Sequence, residues 1–351
     1  MGIVWRILAV VYGCVVALRG WLYDVGVLKS YRSRIPVISV GNVTAGGNGK
    51  TPLCIAIALE LQGRGYTPAI LSRGYGGSLR GPHRVTGLDS CRDVGDEAVV
   101  MAQSGVPVFV ARRRVEGVKL IEEDPAIDVV ILDDGFQHRA LERILDIVSV
   151  FVGTPQAVEE FAAGRLLPAG MFREARDAAL KRAHMIVLSS RAVEGAARSA
   201  ELPESVLKLL PPSAAIYRSF LSASSVVSLE GNRTFSRGDI CALAAIANPE
   251  GFFRSLEVLG FKIVERFAFR DHYIFDEREI IGVLAKHPQM LFVCTEKDAV
   301  KLRELSPAIG ERFAVLSVTA QLSPSDAFFV RVERAIQAHH AAEPRSKVAR
   351  L

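Results

Sequence analysis

The segment from Gly41 to Thr51, Gly-Asn-Val-Thr-Ala-Gly-Gly-Asn-Gly-Lys-Thr, constrains this chain more than any other. It follows a short apolar run, Ile35 to Val40, that reads as a strand. It leads into Thr51 to Gln62, where apolar residues recur every three to four positions as on a helix. A glycine-rich turn from strand to helix presents free backbone N–H groups and the positive end of the helix, which together bind phosphate oxygens. The strict phosphate-loop pattern asks for glycine at position 44, where Thr44 stands. Gly46, Gly47 and Gly49 supply the flexibility instead. Gly46, Gly47, Asn48, Gly49, Lys50 and Thr51 are therefore expected to cradle a nucleotide triphosphate, with Lys50 on the outer phosphates and the Thr51 hydroxyl on Mg²⁺.

Such a loop implies a parallel sheet around it. Thr67 to Ser72, Val106 to Ala111, Asp128 to Leu132, Asp146 to Val152 and Met185 to Leu188 read as further strands, with helical stretches at Asp96 to Gln103 and Arg114 to Glu123. Strand–helix alternation predicts an α/β fold of P-loop NTPase type, mainly parallel, with helices on both faces and ligands at the carboxyl ends of the strands. Pro211-Pro212-Ser213 interrupts the pattern, and Glu230-Gly231-Asn232-Arg233 looks like a hairpin turn. A second alternation follows: strands at Ile240 to Ile246, Lys262 to Phe267, Met290 to Cys294 and Phe313 to Val318, with a helix at Pro249 to Leu259. The 351 residues, half of them hydrophobic, suit this division. The expected organisation is an apolar helix at 1–28, a P-loop domain at 29–212, a smaller α/β domain at 213–340 joined by a hairpin-like linker, and a loose tail at 341–351.

Asp133-Asp134, at the end of the apolar strand, is the natural acidic partner of the loop for holding Mg²⁺. Adjacent strand residues point to opposite faces, so the two carboxylates are expected to do different jobs, and which of them meets the metal stays open. In Gly135-Phe136-Gln137-His138, Gln137 is placed to reach the metal's water shell, and His138 reads as structural. The glycines of Ser72-Arg73-Gly74-Tyr75-Gly76-Gly77 are suited to let the backbone approach a ligand, with Arg73 on a phosphate; a plain turn fits the composition equally. Asp96, after Gly95, reads by composition as a helix cap. Asp271-His272 sits in loop-like sequence, where a base and its orienter or a solvated pair are both compatible. Thr295-Glu296-Lys297-Asp298 reads as a helix start with an anion contact.

From Ile3 to Leu18 the chain is apolar except for Arg6 and Gly13, a run of about 24 Å as a helix against the ~30 Å of a bilayer's hydrocarbon. No small-residue cleavage pattern accompanies it. Arg19, Lys29, Arg32 and Arg34, interleaved with Trp5, Tyr12, Trp21, Tyr23 and Tyr31, suit the headgroup zone of an anionic leaflet, so a helix lying in one leaflet is expected rather than a spanning one. The net charge of +5 is modest, and no nucleic-acid partner is expected. Five scattered cysteines without a C-x-x-C pair argue against a disulfide framework or zinc site.

Together these residues resemble the tetraacyldisaccharide 4′-kinase family of lipid A biosynthesis. The resemblance runs through Val40 to Asn42 with Gly46 to Pro52, Ser72 to Gly77, Gly95 to Glu97 and Asp133 to His138. It continues through Leu167-Pro168-Ala169-Gly170 with Arg173-Glu174, Asn248-Pro249 with Phe252-Phe253, Asp271 to Tyr273 and Thr295 to Asp298. Ala98 and Ala175 stand where the family usually has proline. The resemblance implies transfer of the ATP γ-phosphoryl group to the 4′-hydroxyl of a tetraacylated glucosamine disaccharide 1-phosphate. It places the protein at the cytoplasmic face of the bacterial inner membrane, peripheral or monotopic, against an anionic surface. It implies Asp96 as base with His272 as its partner, alongside Lys50. Thr51 with Asp133 or Asp134 would hold Mg²⁺, and Arg73, Tyr75, Gln137 and Arg173 would meet substrate. Two other readings of the loop are a membrane-associated partitioning- or transport-type ATPase and a noncatalytic nucleotide-binding adaptor. Gly-Gly-x-Gly-Lys-Thr is similar to the partitioning ATPase loop, although Ala45 replaces the additional lysine of that class.

Overall fold

The computed structural model describes residues 3–46, 49–191 and 202–342. The first seven strands are β1 (Val37–Asn42), β2 (Pro68–Ser72), β3 (His83–Arg84), β4 (Val108–Val110), β5 (Val129–Asp133), β6 (Leu145–Phe151) and β7 (Met185–Arg191). The remaining six are β8 (Ala215–Ser228), β9 (Thr234–Phe235), β10 (Gly238–Ala244), β11 (Phe261–Ala268), β12 (Leu291–Thr295) and β13 (Phe313–Ser323). They form one sheet in the order β11-β10-β12-β13-β8-β7-β6-β1-β5-β2-β4-β3, with β9 attached to β8. Most pairs are parallel; β8–β13, β8–β9 and β3–β4 are antiparallel.

The β8–β13 pair positions everything that follows. Its first half is parallel to β7, ending at Arg191↔Leu221, and β13 is parallel to β12, ending at Thr295↔Leu316. Because β8 and β13 run antiparallel, with Leu316 opposite Val226, the two parallel half-sheets point toward each other. Their carboxyl ends, where α/β sheets collect ligands, face one cleft across the middle of this ribbon.

The central strands are buried on both faces, so β1, β5, β6 and β12 read as near-continuous apolar runs. In the first half, alternate residues divide between the faces. Ile38, Val40, Ile70 and Ile131 meet Leu53, Ile57 and Leu61 of α2 (Lys50–Gly63), while Val37, Leu71 and Leu132 meet Val118 and Ile121 of the helix Arg114–Ile121. In the second half, Phe292, Cys294 and Val315 line one core and Ile240, Ala242 and Val293 the other. The helix Ser325–Ala342 follows β13, yet inserts Phe328, Phe329, Val332 and Ile336 into the core of the first half.

The expected strands and helices around the loop are present, with ends displaced by at most three residues. The turn at Glu230–Arg233 joins β8 to β9 as a hairpin, and it lies within the second half; the β8–β13 ribbon is what ties the halves together. Sequence reading did not anticipate the length of β8 or the helix Ser325–Ala342. Of the tail expected at 341–351, residues 343–351 lie outside the described residues, as do Gly47 and Asn48.

The N-terminal helix α1 covers Ile3–Asp24, 22 residues or about 33 Å, so it is longer than the apolar run that suggested it. Arg19 and Gly20 do not break it, and Trp21 and Leu22 extend its apolar surface. By length and composition it is sufficient to cross a membrane, which corrects the expectation of a helix too short to span. Trp5, Ile7, Val10, Val11, Val15, Leu18 and Trp21 are exposed, and among its described residues only Ala9 is buried. Of the cysteines, Cys54, Cys91, Cys241 and Cys294 are buried and Cys14 is exposed.

Candidate functional site

The described residues of the turn after β1 lead from strand to helix as the sequence predicts. Gly49 caps α2 with φ +72, a backbone that favours glycine, and a Cβ there would fall 2.6 Å from the Leu221 side chain of β8. Lys50 is the first helical residue and Thr51, next to it, is buried. Gly46 has φ +111, whereas Thr44 forms a β-bridge with Phe172, a conformation open to any residue, which explains how threonine replaces the usual glycine. The same limb of the loop is held by Ala45 N donating to the Met171 carbonyl at 2.7 Å and Arg173 N donating to the Val43 carbonyl at 2.9 Å. Gly46, Gly49, Lys50 and Thr51 border a cavity of about 340 Å³, which Phe151, Leu221 and Phe252 also line.

The two aspartates at the end of β5 face different partners. Asp133 is buried and accepts from Ser72 Oγ at 3.1 Å and from Cys54 Sγ at 3.6 Å. Burial, with the charges of Glu97 and Asp134, pushes its carboxyl up to about 6 against the opposing pull of Lys50 and Ser72. Asp134 adopts φ +49 and turns toward cations. It accepts from Arg173 Nη1 at 2.8 and 2.9 Å and lies 3.5 Å from Lys50 Nζ. Burial would raise Asp134, but Lys50 and Arg173 outweigh it and hold the group below its ordinary range. Gln137 ties this cluster to the scaffold: its Nε2 donates to the Asn42 carbonyl at 2.9 Å and to Glu174 Oε1 at 3.1 Å, and its Oε1 accepts from Arg173 at 3.4 Å. Glu174, buried, is paired with Arg182, whose guanidinium stacks over Phe136.

Asp96 and His272, 176 residues apart, meet across the two halves with Nδ1 of the imidazole 3.0 Å from Oδ2 of the carboxylate. Asp96 is 6% exposed; burial would raise its carboxyl, but the hydrogen bond from His272 and the charges of His272, Lys297 and Lys301 bring it below the ordinary value. The Asp96 hydrogen bond raises His272, outweighing its burial. His272 sits at φ +56 and Tyr75 stacks obliquely on its ring with centroids 5.2 Å apart. The next residue, Glu97, pairs with Lys297 from the helix Glu296–Leu302, so consecutive acids of one helix start both reach into the second half. Asp96 and His272 border a second cavity of about 360 Å³ with Tyr75, Ser90 and Lys301, while Glu97, Asp271 and Lys297 border the first. The Glu97–Lys297 pair thus lines the first cavity, while Asp96, adjacent in sequence, lines the second.

Lys50, Asp134, Gln137 and Arg173 are therefore brought together, Asp96, His272 and Tyr75 form a second group, and Asp133 is held between them. Arg73 is exposed and adds its positive charge to that felt by Arg114. Gly77, from the run at residues 74–77, and Gly95 are needed for packing within the protein. A Cβ on Gly77 would meet the Asp93 carbonyl at 2.4 Å, and one on Gly95 the Tyr75 carbonyl at 2.3 Å. They let two loops of the protein touch, and so place Tyr75 beside Asp96. Burial and the surrounding arginines push His138 down to about 4.

Sequence reading missed Arg114, which is buried and donates to the Asp133 carbonyl at 3.2 Å. An arginine opening a helix, where the macrodipole disfavours a cation, was the available signal. Among the described residues no three His, Cys, Asp or Glu side chains converge as a ready-made cation cage. The buried Thr51 hydroxyl and the carboxylates at the end of β5 are oxygen donors of the kind that suits Mg²⁺.

The family model described as tetraacyldisaccharide-1-P 4′-kinase matches residues 1–337. A tetraacyldisaccharide 4′-kinase of Chlorobaculum tepidum is 39% identical over 317 residues, covering 86% of this chain and 87% of that one. That of Aeromonas hydrophila is 36% identical over 319 residues, covering 90% and 87%. The crystal structure of LpxK from Aquifex aeolicus in complex with ATP superposes with a TM-score of 0.74 at 26% identity, covering 94% of this chain and 98% of that one.

Proposed function

This chain belongs to the tetraacyldisaccharide-1-P 4′-kinase family and is an ATP-dependent kinase, and we propose that it phosphorylates the 4′-hydroxyl of a tetraacylated glucosamine disaccharide 1-phosphate, giving lipid IVA. The observation that carries the reading is the arrangement of two groups about one cleft. On one side is a phosphate loop with Lys50; on the other, a buried carboxylate 3.0 Å from an imidazole.

In the proposed step, the acceptor oxygen forms a bond to the γ-phosphorus while the bond from that phosphorus to the β,γ-bridging oxygen breaks, leaving ADP. The backbone amides of residues 46–51 cradle the phosphates and Lys50 neutralises the outer ones. Arg173, steered by Asp134 and Gln137, adds positive charge on the same side. Thr51 and the Asp133–Asp134 pair would hold Mg²⁺, which when bound neutralises charge on the β- and γ-oxygens. Asp96 takes the hydroxyl proton, and His272 orients it and shares its charge. A carboxylate of lowered basicity suffices here, because a loose phosphoryl-transfer transition state asks mostly for positioning and charge neutralisation. Arg73 and Tyr75 border the acceptor side.

The sheet supports a division into a catalytic part, residues 29–212, and a smaller part, residues 213–340, with Ser325–Ala342 returning to the first. Closing the two brings Asp96 to His272 and excludes water from the γ-phosphate. The exposed apolar α1 suits an anionic membrane at the cytoplasmic face, where the acceptor's acyl chains stay in lipid. Incubating the purified protein with γ-labelled Mg·ATP and the acylated disaccharide tests the reading. Label in the lipid supports it; free phosphate alone would make the protein a nucleotide-hydrolysing switch instead.

A further inference from the structure

Helix α1 is more than an appendage, because one of its faces is built into the stem of the phosphate loop. The Tyr12 hydroxyl donates to the Arg173 carbonyl at 2.8 Å. On its other edge, the same Met171–Arg173 segment is paired with Val43–Ala45, the limb that enters the loop. Gly13 lies so close to Leu166 that a Cβ would approach within 2.7 Å, and Leu166 in turn bridges Phe172. Farther along, Arg139 donates to the Gly20 carbonyl at 2.8 Å and to Asp24 at 2.6 Å, and Arg19 donates to the Gln137 carbonyl at 3.4 Å. Tyr12, Gly13 and Gly20 thus form one seam, and the rest of the helix is left to its surroundings. Through Tyr12 and Arg19 the helix contacts the backbone of Arg173 and Gln137, the two residues whose side chains converge with Asp134 and Lys50.

We propose that Tyr12 is a positioning residue for the triphosphate. By holding the Arg173 carbonyl it fixes the segment that pins Val43–Ala45 and aims the Arg173 guanidinium at Asp134, so that seating α1 tunes phosphate affinity. A helix serving only as an anchor would have no need to bond the backbone of a phosphate-side residue. The coupling is short and mechanical: one hydroxyl, one three-residue segment and one loop limb. It rests on the phosphate-binding reading given above.

Tyr12→Phe in the full chain removes the one hydroxyl and keeps the ring. Three quantities separate the roles: the Kd for Mg·ATP by calorimetry, kcat with the acylated disaccharide, and co-sedimentation with anionic vesicles. The expected result is a Kd raised ~3–10-fold and a kcat lowered by a similar factor, the scale of one net hydrogen bond, with co-sedimentation unchanged. In an Arg173→Ala background the effect of Tyr12→Phe on Kd should shrink, since the guanidinium it aims is gone. An unchanged Kd in Tyr12→Phe, or an equal shift in both backgrounds, overturns the proposal while leaving the kinase reading intact. A wild-type protein that binds Mg·ATP without labelling the lipid refutes the acceptor and leaves Tyr12 to be judged by Kd alone. One that binds no ATP overturns both.

Discussion

Replacing Asp96 by asparagine separates charge from shape at the contact between the two halves. The carboxylate is buried and 3.0 Å from His272, so its charge-assisted bond falls in the class worth about 1.5–3 kcal/mol. Asparagine keeps an acceptor for the imidazole and removes the burden of a buried charge, which offsets most of that loss. The net change in stability should be about 1 kcal/mol or less, a shift of ~1–3 °C in Tm. Turnover responds differently, because an amide cannot take the acceptor's proton. We expect kcat to fall by roughly 10²–10⁴-fold with the Kd for Mg·ATP little changed. The pH dependence follows from the directions of the two shifts. Asp96 lies below its ordinary value of 3.8, so its share of the ion pair is complete above that pH and lost as pH falls through the lowered pKa. His272 lies above its ordinary 6.5, so its share is complete below that and lost as pH rises through the raised pKa. The wild-type pH–rate profile should therefore lose activity on the alkaline side above 6.5, and the His272→Gln profile should lack that limb. Steady-state kinetics with labelled ATP and a thermal melt measure all of this. An Asp96→Asn enzyme with wild-type kcat, or one whose loss in kcat adds fully to that of His272→Gln, would refute the coupled pair.

Lys50→Ala should reduce turnover by at least ~10²-fold in the labelling assay, because it removes the cation that joins the phosphate loop to Asp134. Phe328→Ala should destabilise the protein by about 3–5 kcal/mol in denaturant unfolding, since a fully buried ring would leave a cavity beside α2 and Tyr217. A much smaller change would mean that the helix Ser325–Ala342 does not belong to that core. Deleting Met1 to Gly20 should move the protein from the membrane fraction to the soluble one, and full retention would place the anchor elsewhere.

The phosphate loop, the first half-sheet and the acids after β5 were legible because each is written in contiguous sequence. A glycine-rich turn, alternating strands and a terminal acid pair need only local geometry. Asp96 and His272 were different: composition favoured a cap and a solvated loop, and only family resemblance paired them. Their contact depends on the antiparallel β8–β13 ribbon, whose register links residues roughly a hundred apart, beyond the reach of periodicity. The same distance hid the role of Gly77 and Gly95, which serve a contact between loops. The helix Ser325–Ala342 was missed because its partners lie on segments far away in the chain, and Arg114 because its partner is a backbone carbonyl, which leaves no mark in residue types.

That last helix has a bearing on how the molecule is made. A ribosome delivers α2 and the strands around it early, yet Phe328, Phe329, Val332 and Ile336 emerge only near the end of translation. Until then the nucleotide-binding half carries a bare apolar face, while β8 waits along one edge for β13. Nascent chains stalled before residue 325 should consequently be protease-sensitive and prone to stick to chaperones or to one another, with native ATP affinity arriving late and all at once.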